Sequence, residues 1–82
     1  CDRELLHHFK WYPELCRARQ DAMINLCFNL GMTRLRTFKK ALHAMSEEDY
    51  QRAADEFLDS KWANQVGNRA IEVTDLIRKG HY

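Results

Sequence analysis

Apolar positions along this chain recur at helical spacing, and one stretch, Arg17 to Gly31, sets the pattern for the rest. From Ala22 onward it carries Met23, Ile24, Leu26, Cys27, Phe28 and Leu30, too many large apolar groups for one face of a solvent-exposed cylinder. A helix that is hydrophobic on nearly every side is a buried one, so other helices are expected around it. Gly31 ends it as a left-handed stop. The polar interruptions, Asn25 and Asn29, lie four apart and share one side, which meets either buried hydrogen-bond partners or a cleft.

The flanking segments read as shorter helices. Leu5, Leu6 and Phe9 give Arg3 to Lys10 an amphipathic spacing, and Trp11, Tyr12 and Pro13 break it, because proline disfavours the α conformation at the residue before it. After a short turn at Met32 to Arg36, Phe38, Ala41, Leu42 and Met45 recur at i, i+3, i+4 and i+7, with Lys39, Lys40 and His43 on the other face. Ser46 before Glu47, Glu48 and Asp49 looks like a cap with an acidic first turn. Tyr50, Ala53, Ala54, Phe57 and Leu58 form the next stripe, while Gln51, Arg52, Asp55, Glu56 and Asp59 face water. Ser60 or Asp59 can cap a short helix holding Trp62; Gly67 or Asn68 opens the last helix, built on Ala70, Val73, Thr74 and Ile77 and closed by Gly80. No segment alternates with period two for long. The expected fold class is all-α, one buried central helix wrapped by five or six short ones, in a single helical domain over residues 1–82.

Composition narrows the function classes. A chain of 82 residues is at most one small domain, burying roughly 60 to 65% of its unfolded surface. Hydrophobic residues make up 45% and charged residues 30%, which marks a folded chain rather than a disordered one. The formal net charge of +1 points to neither a nucleic-acid nor a membrane-surface partner. Cys1, Cys16 and Cys27 are odd in number and one sits in the most apolar helix, so they read as reduced thiols. Neither they nor the His7-His8 pair has metal-ligand spacing, and no cofactor or metal is implied. The chain begins on Cys1 without a methionine, and a fragment of a longer protein is expected.

Chemistry is sparse. Asp55 with Asp59, and Glu72 with Asp75, have the spacing of helix neighbours that paired-carboxylate catalysis of glycoside cleavage could use, but both pairs lie among charges on faces that read as solvated. No glycine-rich phosphate loop occurs, and no Ser or Cys has an obvious His and acid beside it. The one suggestive patch is Asn29, Trp62, Asn64, Gln65, Asn68 and Arg69.

RQDAMINLCFNLG at 19–31, Phe38, and DYQRAADEFLDSKWANQVGNRA at 49–70 resemble the C-terminal helical lobe of bacteriophage-type lysozymes, glycoside hydrolase family 24. The resemblance covers roughly residues 15 to 80. It implies an endolysin-like muramidase that cleaves peptidoglycan between N-acetylmuramic acid and N-acetylglucosamine, with the catalytic glutamate, its aspartate companion and a threonine in an N-terminal lobe. None of those three is matched here, so the resemblance gives this chain half a cleft, no catalytic residue, and two partners, the glycan strand and the missing lobe. It further implies the host cytoplasm as the location before release to the cell wall or periplasm.

Residue by residue, the resemblance makes Phe28 and Asn29 cleft-lining, Trp62 the tryptophan packed beside them, and Arg69 the arginine facing the catalytic glutamate across the lobe boundary. Glu56 falls at a substrate-contacting position where the family has a neutral amide. Other readings stand beside these: Trp62 as core filling, Asn25 as a structural amide, Asn29 as a group satisfying helix-end carbonyls, Arg69 as a surface charge. Against the lysozyme lobe stands a second class, a non-catalytic module that binds glycan or protein through the same surface.

Overall fold

The computed structural model describes residues 2–81 and contains, among them, seven α-helices and one 3-10 turn, with no strand. The helices are α1 (Asp2–His8), α2 (Arg17–Leu30), α3 (Met32–Leu35), α4 (Lys39–Ser46), α5 (Tyr50–Leu58), α6 (Lys61–Val66) and α7 (Asn68–Lys79), with the 3-10 turn at Tyr12–Glu14. The all-α expectation holds.

Two helices share the centre. On α2, Ala18, Ala22, Met23, Leu26, Cys27 and Leu30 are buried and meet α7, α3 and α1. The α5 stripe of Ala53, Ala54 and Phe57 packs between α4 and α7 and touches α6. One contiguous core results, running from Leu5 on α1 to Ile77 on α7, with the Phe38 and Phe57 rings 5.3 Å apart joining α4 to α5. The buried Thr74 hydroxyl is satisfied within its own helix, donating to the Ala70 carbonyl at 2.7 Å. The radius of gyration, 11.1 Å, is close to the ~11.7 Å expected for a compact chain of this length.

The central helix departs from the sequence expectation on one side. Its buried positions occupy a stripe, and Phe28, which faces away from it, is 81% exposed. Gly31 ends the helix at φ +81° but ψ 153°, which is not left-handed helix; it closes α2 and starts α3 in one residue.

Local chemistry explains most other boundaries. The Ser60 hydroxyl accepts from the Ala63 amide at 3.3 Å, so Ser60 rather than Asp59 caps α6. Gly67, at φ +60° and ψ −121°, takes a turn that side chains resist and starts α7; Gly80 ends it in the left-handed conformation. The acidic cap at Ser46 is overturned. Ser46 is the last residue of α4, its hydroxyl donating to the His43 carbonyl at 2.6 Å, and Asp49 caps α5 by accepting from the Arg52 amide. Glu47 and Glu48 therefore lie in the connection, with Glu48 at φ +61°.

Candidate functional site

The most exposed large apolar group is Phe28, on the last turn of α2. Burial at Met23, Leu26, Cys27 and Leu30 turns positions 25, 28 and 29 outward, since 3.6 residues per turn place them on the opposite side. Asn25 Nδ2 donates to the Asp21 carbonyl at 3.1 Å, and Asn29 Nδ2 to the Asn25 carbonyl at 2.8 Å. The two amides thus form a ladder along their own helix rather than reaching buried partners elsewhere. Asn29 Oδ1 keeps its accepting capacity for a ligand. A bare aromatic face beside an amide oxygen suits a sugar: the ring covers C–H groups, and the oxygen accepts from a hydroxyl or an acetamido N–H.

Trp62 behaves differently. It is 3% exposed and belongs to the core cluster, whereas Phe28 stands outside it. Its Nε1 is buried with no hydrogen-bond partner among the described residues, a costly state for an indole N–H. Of its two readings, core filling is the one the geometry favours. Arg69, second residue of α7, is exposed and has no hydrogen bond or ion pair among the described residues; Asn64, Gln65 and Asn68 are exposed around the α6–α7 junction.

Glu56 is half-buried on α5 and lines a hollow of about 310 Å³ with Phe38, Lys39, Lys40 and Asp59. Neither this hollow nor the one lined by Lys39, Lys40, His43 and Arg52 includes Phe28, Asn29, Trp62 or Arg69; Phe28, Asn29 and Arg69 are exposed and Trp62 is in the core.

One member of each carboxylate pair is held by an ion pair. Arg78 Nη2 holds Asp55 at 2.9 Å and Nη1 holds Asp75 at 3.3 Å, clasping α5 to α7. Their sequence neighbours Asp59 and Glu72 are exposed, and among the described residues no Asp or Glu is fully buried. Cys16 is an exposed free thiol, and Cys27 a buried one whose pKa is raised by desolvation, then by Glu4; Cys1 lies outside the described residues. No cluster of three metal-ligating side chains occurs among the described residues.

Sequence reasoning put Lys39, Lys40 and His43 on an open face without a role. In the structure they share, with Arg52, a second hollow of about 470 Å³. The available signal was the absence of any Asp or Glu between Ala22 and Ser46.

Comparison with known proteins adds the following. The family described as phage lysozyme matches residues 5–79. The protein described as probable T4-type lysozyme 1 of Dictyostelium discoideum is 35% identical over 69 residues, 84% of this chain and 41% of that protein. Probable T4-type lysozyme 2 of the same organism is 30% identical over the same shares. The pre-baseplate central spike protein of Enterobacteria phage T4 is 33% identical over 82 residues, 96% of this chain but 14% of that protein. The chain therefore spans about two fifths of the length of these T4-type lysozymes. No solved structure matches it.

Proposed function

We propose that this chain, which belongs to the phage lysozyme family, supplies the helical lobe and one wall of the substrate cleft of a muramidase that cleaves peptidoglycan between N-acetylmuramic acid and N-acetylglucosamine. The observation that carries this is the Phe28–Asn29 end of α2: an aromatic ring left 81% exposed beside an amide, on a helix otherwise built for burial. Exposing a large apolar ring wastes its burial energy unless something covers it, and a sugar face between two lobes would do so.

In this reading Phe28 and Asn29 hold the glycan, Glu56 contacts it from α5, and Trp62 supports the wall from within. Arg69 faces a catalytic glutamate contributed by an N-terminal lobe. The acid that protonates the glycosidic oxygen must be kept protonated by apolar surroundings. The exposure of Asp59 and Glu72, and the engagement of Asp55 and Asp75 by Arg78, support placing that acid outside these 82 residues. The protein would reside in the host cytoplasm until released to the cell wall or periplasm.

The test is a titration of isotope-labelled chain with an alternating N-acetylglucosamine and N-acetylmuramic acid tetrasaccharide, followed by amide shifts and by mass spectrometry of the sugar. Weak binding centred on Phe28 and Asn29 without cleavage is expected. Cleavage by the chain alone would relocate the catalytic centre into it, and an unperturbed Phe28–Asn29 segment would overturn the cleft assignment. In the protein encoded by the complete parent reading frame, Phe28→Ala should lower kcat/KM by about tenfold or more, the worth of one good apolar contact. Binding without any activity in that longer protein would favour the non-catalytic module.

A further inference from the structure

We infer that the hollow between α4 and the start of α5 is an anion site for a phosphate-bearing ligand with two or more charges. The inference is independent of the lysozyme reading. Lys39, Lys40 and His43 from α4 and Arg52 from α5 line a cavity of about 470 Å³, within the range that holds small ligands such as a sugar phosphate.

The net charge of +1 conceals a local segregation. From Ala22 to Ser46 the chain has no Asp or Glu, while Arg34, Arg36, Lys39 and Lys40 are all cationic. Two acids, Glu47 and Asp49, close the far side of the hollow. Glu47 faces His43 at 3.7 Å, and Asp49 Oδ1 accepts from the Arg52 backbone amide at 3.4 Å. The side chains of Lys39, Lys40 and Arg52 have no salt bridge among the described residues.

Three cations face two carboxylates around this concavity, which keeps a net positive charge that an anion offsets. Ammonium and guanidinium groups donate and never accept, so the contacting edge of the ligand must be all acceptor. A phosphate divides its oxygens among separate donors and suits both the lysine point charges and the arginine fork, which a single carboxylate does less well. Lys39 and Lys40 also border the Glu56 and Asp59 hollow, where the two lysines meet two carboxylates and no third cation stands. The ligand therefore belongs on the His43 and Arg52 side.

The same chemistry is offered by a soluble phosphate ester and by a lipid headgroup. Labelled chain is titrated with inorganic pyrophosphate at constant ionic strength, and separately sedimented with phosphatidylcholine vesicles with and without phosphatidylglycerol. Saturable shifts at Lys39, Lys40, His43 and Arg52 are expected, weakening as salt rises. Lys39→Gln with Lys40→Gln should loosen binding about fivefold, two exposed ionic contacts being lost, with unchanged circular dichroism. Sedimentation with the anionic vesicles that pyrophosphate reverses assigns the headgroup; pyrophosphate saturation without sedimentation assigns the soluble ester. The inference is overturned by an absence of saturation, by equal binding in the double variant, or by shifts at Glu56 and Asp59 without those at His43 and Arg52.

Discussion

The Arg19 guanidinium lies against Gly80, so close that a Cβ built on the glycine would sit 2.7 Å from Arg19 Cζ. Arg19 is held there on three sides: its Nε donates to the Ile77 carbonyl at 2.7 Å, Nη2 to the Arg78 carbonyl at 3.5 Å, and its Cζ lies 3.7 Å from the centre of the Tyr50 ring. A cation on the last carbonyls of α7 complements the negative end of that helix and ties α2 and α5 to it. Arg19→Ala should cost about 2 kcal/mol, read as a Tm fall on the order of 10 °C in a domain this small.

Gly80→Ala should cost about 1–2 kcal/mol from left-handed strain alone, Gly80 being at φ +75°, and more because the guanidinium must leave. The extra part disappears in an Arg19→Ala background. Urea unfolding of the two single variants and the double variant measures that coupling, and strictly additive losses would refute the contact.

Arg78 gives a second cycle. Its bridge to Asp55 is between a part-buried guanidinium and a largely exposed carboxylate, so the coupling from Arg78→Met with Asp55→Asn should be about 0.5–1 kcal/mol and shrink in salt. A coupling near zero at low salt would mean that α5 and α7 are held by their apolar stripes alone.

Much of this fold was legible because its rules are local. The α5 and α7 stripes, the Ser60 cap, Gly67 and the Gly80 stop each depend on residues within a turn or two. Ser46 misled for a related reason: several residues in a row could cap, and the stripe starting at Tyr50 decided for Asp49. Arg19 and Arg78 carried no local sign, since Arg19 bonds to a residue 58 positions away and Arg78 to one 23 away. In the candidate site, apolar spacing identified the helix bearing Phe28, but only packing could show which of its apolar letters stays outside. Trp62 was readable as core filling, since small helical domains use large aromatics to fill space, and it is 3% exposed.

That contrast is measurable. Phe28→Ala should change stability by less than about 0.5 kcal/mol, as for surface positions generally, whereas Trp62→Ala should cost about 3–5 kcal/mol and leave a chain of this size close to unfolding. Thermal melts followed by circular dichroism decide it; a large loss at Phe28 would mean that its ring is covered.

Alkaline pH should erode the fold. Burial raises the Cys27 thiol pKa, and burial likewise raises that of Tyr50 against an opposing effect of Arg19. A group whose folded pKa is raised contributes stability that is complete below its unfolded pKa and is lost as pH climbs through the folded one. The loss should begin above about pH 8.5 for the thiol and about pH 10 for the phenol. Cys27→Ala lowers stability at neutral pH but should flatten the first part of the alkaline decline. Urea midpoints from pH 7 to 10.5 measure both, and an unchanged slope would remove Cys27 from the effect.

Arg69 bears on the two-lobe reading directly. It is a surface cation with no hydrogen bond or ion pair among the described residues, at the start of α7. If it faces the catalytic acid of an N-terminal lobe, its charge favours the ionised carboxylate and lowers that acid's pKa. The acid must be protonated to donate, so activity is lost on the alkaline side as it ionises. Arg69→Met should therefore move the alkaline limb of kcat/KM to higher pH, while the stability of the isolated 82-residue chain stays the same. Pairs of pH–rate profiles at low and high salt test this, because a cross-lobe charge effect weakens with screening. An alkaline limb that stays put would leave Arg69 a solvated charge with no effect on the acid.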